Sequence, residues 1–179
     1  FLFLGILYPL ALYSANGMVS PFLNEVLGIS LDRVGIYISI FGCGTVLGAL
    51  VGGPLVKVLG RRNSLLAALG LTALVTAGMG LVPSAGLAWF VVFLFGTAFG
   101  YYETIYFAMG MDFSDPRIAA FMFSIIMAVG NIGIGLGSPL AGMLVDRINF
   151  KAMFLIFAGV HLVSLPIVIG IFKKRKDLV

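Results

Sequence analysis

Charged side chains are scarce in this chain of 179 residues, and that scarcity excludes most classes of soluble protein. Asp, Glu, Lys and Arg make up 10% of the residues, whereas soluble domains carry about 25%. Hydrophobic residues make up 61%, and the mean hydropathy is +1.15. Such a composition cannot cover a water-facing surface, so a soluble enzyme and a nucleic-acid-binding domain are both excluded.

Cysteine and histidine each occur once, which excludes further classes. A single cysteine cannot form an intrachain disulfide, so a secreted disulfide scaffold is excluded, and we expect Cys43 to be a small buried residue. With His161 as the only histidine, a zinc site or a haem held by two histidines is not expected. We therefore predict that the protein uses no metal and no other cofactor.

Long apolar runs are abundant instead, and six of them can be distinguished. They cover about residues 1–22, 34–58, 64–82, 86–110, 118–145 and 150–172. Each is close to or longer than the ~20 residues that a helix needs to cross a bilayer, whereas barrel strands alternate and need only ~10. The sequence therefore predicts an all-α membrane protein with six transmembrane helices in one bundle.

Lys and Arg are distributed unequally between the two sides of these predicted helices. Eight lie on one side, namely Lys57, Arg61, Arg62, Arg117 and the four basic residues at 173–176. Three lie on the other side, namely Arg33, Arg147 and Lys151. Because positively charged loops stay in the cytoplasm, we predict a multi-pass protein of the plasma (inner) membrane with both ends of this segment cytoplasmic.

An internal repeat is visible at an offset of 89 residues. Pairs of glycines stand at this spacing: Gly44 and Gly133, Gly48 and Gly137, Gly53 and Gly142. The chain has 24 glycines, which membrane helices use to bring their backbones close together. An offset that spans three helices places the two copies in opposite orientations. We therefore predict two inverted three-helix repeats, at about residues 1–84 and 85–179.

The connection between the second and third predicted helices carries a motif, Gly53-x-Leu55-x-Lys57-x-x-Gly60-Arg61-Arg62. It resembles the signature loop of the major facilitator superfamily, Gly-x-Leu-x-Asp-Arg-x-Gly-Arg-Arg/Lys, which joins the same two helices of a six-helix half. Lys57 and Val58 stand where that family has Asp and Arg, a departure that fits a C-terminal half. By this resemblance, the cytoplasmic gating loop would be Gly53, Leu55, Gly60, Arg61 and Arg62.

The resemblance implies a secondary active transporter that moves a small solute by alternating access, as symport or antiport. Its partner would be the N-terminal six-helix half of the same transporter. The first and fourth helices of this half would line a central cavity, the second and fifth would gate it, and the third and sixth would face lipid. Residues 111–120 also resemble a loop in the muropeptide permease and acetyl-CoA transporter branch, which carries no substrate contact.

Glu103 is the only full charge well inside a predicted helix. An intramembrane carboxylate costs several kcal/mol unless it faces water or a partner, so the default interpretation is functional. A group that loads and releases a proton would suit proton-coupled transport, and we predict this role for Glu103. A structural carboxyl group that is hydrogen-bonded across helices remains the alternative.

Polar residues near Glu103 or on the predicted cavity helices are candidates for the substrate cavity. They are Tyr13, Asn16, Ser20, Tyr102, Tyr106 and Asn131. Tyr102 and Tyr106 are one helical turn apart and present their rings and hydroxyls together. The Asn16-Gly17 pair could loosen the first helix, as in the broken helices of transporters. Packing, interfacial anchoring and ordinary interhelical hydrogen bonds are the alternative roles for these residues.

Two other membrane-protein functions are alternatives. A six-span intramembrane serine protease of the rhomboid type would use Ser138 and His161 as its dyad, but Pro139 has no N–H to donate to an oxyanion. The membrane part of an ATP-driven exporter would have long cytoplasmic helical extensions, and no Gly-Lys phosphate loop occurs in this sequence. The transporter interpretation therefore leads, with protons, lipid and a small solute as its other partners.

Overall fold

The computed structural model describes residues 2–112 and 114–174, and nearly all of these are helical. The long helices are α1 (Leu2–Gly17), α3 (Leu31–Leu81), α4 (Ala85–Asp112), α5 (Ala119–Arg147) and α6 (Phe150–Lys174). A short helix α2 (Val19–Pro21) and a π-helical turn (Phe22–Val26) follow α1, and a 3-10 turn (Pro116–Ile118) precedes α5. Position 1, position 113 and the last five positions, including part of the predicted basic tail, lie outside the described residues.

Five helical segments in the described part of the chain are long and apolar enough to cross a membrane. They are Leu2–Val26, Leu31–Leu81, Ala85–Asp112, Pro116–Arg147 and Phe150–Lys173. The prediction of an all-α, multi-pass membrane fold is confirmed at this level. The segments predicted separately at 34–58 and 64–82 both lie in α3, where two helices meet at a kink with no longer loop between them.

The backbone of α3 leaves helical geometry at one residue, Gly60, with φ 76° and ψ 162°. This conformation is essentially restricted to glycine, because a Cβ atom would clash with the backbone there. A straight helix of 51 residues would be about 77 Å long, more than twice the ~30 Å hydrocarbon core. The motif residues around Gly60 therefore form a one-residue break within a helical element.

The apolar runs predicted the first connection between residues 22 and 34, but Asn24 and Glu25 are not part of a loop. Both residues belong to the π-helical turn, in which the Leu27 N–H donates to the Phe22 carbonyl at 3.3 Å. The chain turns at Gly28, four residues after Asn24, and the φ of Gly28 is 67°. The Asn24 amide stabilises this turn by donating a hydrogen bond to the Ile29 carbonyl at 2.9 Å.

α3 and α4 pack along each other at glycines. A Cβ atom added at Gly44 or Gly48 would overlap the carbonyl oxygens of Phe93 and Thr97 on α4. In the opposite direction, Cβ atoms at Gly96 and Gly100 of α4 would overlap carbonyl oxygens on α3, those of Phe41 and Thr45. The missing side chains on both helices therefore allow the two backbones to touch, which is how membrane helices gain dispersion contacts.

α5 approaches α1 in the same way. Cβ atoms at Gly133 and Gly137 would overlap the carbonyl oxygens of Ile6 and Leu10 on α1. Two of the glycine pairs at the offset of 89 thus make the same kind of contact, one member with α4 and the other with α1. α6 packs against α3 and α1, which leaves α1 and α4 the most deeply enclosed helices in the described part of the chain.

Cys43 is exposed, so the expectation that it is buried is wrong. The neighbouring Gly44 faces α4, and successive residues of a helix point about 100° apart. The Cys43 thiol therefore points away from α4, on a helix that buries few of its side chains.

Candidate functional site

The Glu103 carboxylate meets a partner from a distant part of the chain. The Tyr13 hydroxyl, on α1, donates a hydrogen bond to Glu103 Oε1, on α4. Both residues are half-buried. The hydrogen bond joins α1 to α4, the two helices that the family resemblance assigned to a central cavity.

Aromatic side chains surround this pair. The Tyr8 ring stacks on the Tyr102 ring, with centroids 4.1 Å apart and an interplanar angle of 27°. Tyr106 lies 5.1 Å from Tyr8, and the Tyr13 ring meets Phe99 edge-on at 4.9 Å. Tyr8, Tyr102 and Tyr106 are each at most 2% exposed, so this cluster is part of the interior.

A cavity of about 110 Å³ lies next to the aromatic cluster. Its walls come from α1, α4 and α5, and consist of Tyr8, Pro9, Tyr13, Tyr106, Phe107, Ile126, Met127, Gly130, Asn131 and Ile134. This space is large enough to hold several water molecules. Its lining includes three tyrosines and Asn131, and Tyr13 connects the cavity to Glu103.

Small residues make room for the site. A Cβ atom at Gly5 would overlap the Tyr106 hydroxyl, so glycine at this position lets the tyrosine lie against α1. A Cβ atom at Gly130 would lie 3.6 Å from Pro9 Cγ, which leaves the α5 backbone close to α1 on the cavity wall. Helical periodicity also places Tyr102, Glu103 and Tyr106 within one turn of α4.

The structure brings some of the predicted cavity residues together and leaves others apart. Tyr13, Tyr106 and Asn131 line the cavity, with Asn131 itself exposed on α5. Tyr102 lies behind Tyr8 instead of on the wall. The remaining two candidates, Asn16 and Ser20, are half-buried and are not among the lining residues. The helix α1 ends at Gly17, next to the Asn16-Gly17 pair where a looser helix was predicted.

Tyr8 is the residue that sequence analysis missed. It contacts three other tyrosine rings and lines the cavity. Its signal in the sequence is weak, because a tyrosine in an apolar run is more often an interface anchor than a wall of a site.

The motif around Gly60 is tied to the end of α4. Arg61 Nε lies 2.8 Å from Asp112 Oδ2, and the two side chains are 42% and 34% exposed. Of the other motif residues, Leu55 is half-buried, whereas Gly53 and Arg62 are exposed. The ion pair links the break in α3 to the helix that carries Glu103.

No serine–histidine dyad is formed. Ser138 is exposed on α5, whereas His161 is buried on α6, and neither of its ring nitrogens has a hydrogen-bond partner within the described residues. The rhomboid-type alternative therefore lacks its reacting pair. Nothing in the described residues favours the alternative of an ATP-driven exporter.

The sequence was compared with known families and proteins. Neither a curated protein nor a solved structure matches it. The family model of the Major Facilitator Superfamily matches residues 1–178, which is nearly the whole chain. Together with the apolar helices and the motif around Gly60, this match shows that the chain belongs to the Major Facilitator Superfamily of membrane transporters.

Proposed function

We propose that this chain is the C-terminal six-helix half of a proton-coupled secondary transporter that moves a small polar or amphiphilic solute. The observation that carries the proposal is the hydrogen bond between Tyr13 and Glu103, which joins two enclosed helices beside a cavity. A carboxyl group in this position is expensive to keep in a membrane without a function. Family membership supports a transport function in general. The carboxyl group of the site supports the more specific proposal that the coupling ion is a proton.

In this proposal α3 crosses the membrane twice, giving six crossings in all. Its 51 residues far exceed one bilayer, and the break at Gly60 is next to two arginines, which favour the cytoplasmic surface. Both ends of the segment are then cytoplasmic, in the plasma (inner) membrane. The exposed apolar residues of α3 and α5, such as Leu50 and Phe121, would contact lipid and the N-terminal half.

We also propose that the two triplets of helices are inverted repeats. The supporting observation is that glycines 89 residues apart make equivalent contacts. Gly44 packs on the α4 backbone and Gly133 packs on the α1 backbone. In such an arrangement α1 corresponds to α4, and the site at their junction lies between the repeats, where transporters bind substrates and ions.

Proton binding would act through the connection between α1 and α4. When Glu103 is ionised, the hydrogen bond from Tyr13 is charge-assisted and about twice as strong as a neutral one. When Glu103 takes up a proton, this bond weakens, and α1 becomes freer to move relative to α4. The proton would thereby bias the protein between states that open to opposite sides of the membrane.

The solute would bind against the tyrosine rings. Tyr8, Tyr13 and Tyr106 line the cavity with aromatic side chains, and Asn131 adds an amide. These groups suit a solute that combines polar substituents with an apolar surface. The N-terminal half would complete the cavity, so the volume of about 110 Å³ represents only this half's contribution.

The experiment is a transport assay on the complete transporter reconstituted in liposomes, with a panel of labelled sugars, peptides, amines and carboxylates. We expect at least one solute to accumulate when a pH gradient is imposed, without ATP, and an uncoupler to abolish this accumulation. Solute movement that depends on ATP, or that ignores the pH gradient for every solute moved, would contradict the proposal.

A further inference from the structure

A second cavity lies away from the tyrosine cluster, where the part of α3 after Gly60 meets the end of α6. Its volume is about 210 Å³, and its lining residues are Arg62, Ile169, Phe172 and Lys173. Two cations from different helices therefore line the same space, together with two apolar side chains. No acidic residue is among the four.

The two cations have no described counterion. Arg62 and Lys173 are exposed and form no ion pair within the part of the chain that the structure describes, whereas the neighbouring Arg61 is paired with Asp112. Arg62 also lines an adjacent cavity of about 150 Å³ formed by residues 59–63. Two like charges beside one space repel each other unless an anion lies between them, so the pair creates a local preference for an anion.

The backbone contributes in the same direction. Gly60 breaks α3, so Arg62 lies in the first turn of the helical segment that follows the break. The first turn of a helix carries partial positive charge and favours anions. The partial positive charge of this helix end therefore adds to the preference for an anion that the side chains of Arg62 and Lys173 create.

The apolar part of the cavity distinguishes a lipid from a free anion. Lys173 lies at the end of the apolar segment Phe150–Lys173, and Arg62 lies two residues after the break at Gly60, so in the proposed topology both lie at the level of the lipid headgroups. Ile169 is 45% exposed on the same side of α6, one turn further into the apolar stretch. A molecule with a phosphate for the cations and a hydrocarbon chain for Ile169 and Phe172 would satisfy both halves of the cavity.

We infer that this cavity binds the headgroup of an anionic phospholipid, with its phosphate between Arg62 and Lys173 and an acyl chain along Ile169. Basic pockets between transmembrane helices commonly hold such headgroups. The inference is independent of the transported solute and of the proton site, because none of its residues belongs to the tyrosine cluster.

The test uses the complete purified transporter in detergent, titrated with phosphatidylglycerol or with phosphatidylcholine of identical acyl chains, and monitored by native mass spectrometry. We expect phosphatidylglycerol to bind in preference to phosphatidylcholine. Arg62→Gln and Lys173→Gln should each weaken its binding about fivefold, and the double variant about 25-fold, since each cation contributes roughly equally. Arg62→Lys should retain most of the binding, because the charge remains.

The matched control is Lys151→Gln, which removes an exposed cation from the start of α6, at its other end. We expect this variant to bind phosphatidylglycerol like the unaltered protein, and thermal melting will verify that all variants are folded. Equal binding of the two lipids would overturn the inference. Equal loss in the Lys151→Gln variant, or full competition by inorganic phosphate at the lipid's concentration, would also overturn it.

Discussion

At the scale of single residues, the proposed function depends most on the pair formed by Tyr13 and Glu103. Glu103 brings a carboxylate into an apolar helix, and Tyr13 supplies a donor from a helix 90 positions away in sequence. Hydrogen bonds to charged groups are worth about 1.5–3 kcal/mol, more than neutral ones. In the proposed mechanism, this difference is what allows one proton to change how firmly α1 is held to α4.

Tyr13→Phe removes the donor and keeps the ring. We expect pH-driven accumulation of the transported solute to fall about tenfold, because a link of this strength between α1 and the titrating group is lost. Exchange of solute at equal concentrations should change much less, since it needs no net proton movement. Both rates are measured in liposomes.

The control for that variant is Tyr37→Phe. This substitution also removes one hydrogen bond, which the Tyr37 hydroxyl donates to the Ala85 carbonyl at 3.1 Å. Tyr37 lies outside the aromatic cluster. We expect Tyr37→Phe to leave the ratio of accumulation to exchange unchanged. An equal loss in both variants would mean that removing any tyrosine hydroxyl impairs the protein, and would contradict a specific role for Tyr13.

Residue-scale prediction yielded a candidate where one side chain was exceptional. Glu103 could be singled out because it is the only full charge well inside an apolar run, and the cost of such a group is independent of the fold. Its contact with Tyr13 could not be predicted, since that contact depends on how α1 and α4 pack. Tyr8 was missed for the same reason, because its importance comes only from the rings it touches.

At the scale of helices, glycines decide which surfaces touch. Gly48→Ala would overlap the Thr97 carbonyl, and Gly137→Ala would overlap that of Leu10. We expect each substitution to lower stability by about 1–3 kcal/mol, the typical cost of overpacking. The measurement is the melting temperature of the purified protein, which should fall in both variants.

Two glycines on the same helices serve as matched controls. A Cβ atom at Gly42 or Gly135 would meet no atom within 4 Å. Their replacement by alanine should leave the melting temperature unchanged or raise it, because alanine favours the helix by roughly 0.5–1 kcal/mol. Destabilisation by Gly42→Ala or Gly135→Ala as large as at the contact positions would refute this account of helix packing.

Helix boundaries were predicted well where charges or glycine interrupt an apolar run, and poorly where they do not. α4, α5 and α6 begin and end within about two residues of the predicted positions. The π-helical turn was missed because Asn24 and Glu25 are polar, and polarity alone does not distinguish a loop from an exposed helical turn. The break at Gly60 lies within the predicted interruption between residues 58 and 64, but only one residue leaves helical geometry.

At the scale of the whole molecule, orientation in the membrane is the first property to test. We expect a cysteine at Asn63 to be shielded from an impermeant reagent in whole cells, and a cysteine at Ser84 to be labelled. Both positions are exposed, and the asymmetry of Lys and Arg predicts that the first lies in the cytoplasm. Because Cys43 is exposed, the assay must be performed in a Cys43→Ser background.

Labelling at position 63 from outside the cell, with position 84 shielded, would reverse the proposed orientation. Labelling at both positions would indicate that the two ends of the segment between residues 63 and 84 lie on the same side. That outcome would contradict the proposal that α3 crosses the membrane twice.

The arrangement of the helices was only partly predictable from the sequence. The offset of 89 pointed to equivalent positions in α3 and α5, because glycine is informative wherever two backbones must touch. The sequence does not predict which helix each glycine contacts, because helices in lipid have no amphipathic pattern that identifies the neighbouring helix. The pairing of α3 with α4 and of α1 with α5 emerges only from the three-dimensional structure.

The most direct test of the central claim is Glu103→Gln in the reconstituted transporter, with Glu25→Gln as a control at an exposed carboxylate. Gln preserves shape and can still accept a hydrogen bond from Tyr13, but it cannot exchange a proton. We predict that Glu103→Gln loses accumulation driven by a pH gradient and retains solute exchange, whereas Glu25→Gln retains both. Normal pH-driven accumulation by Glu103→Gln would show that this carboxyl group is structural and that coupling lies elsewhere.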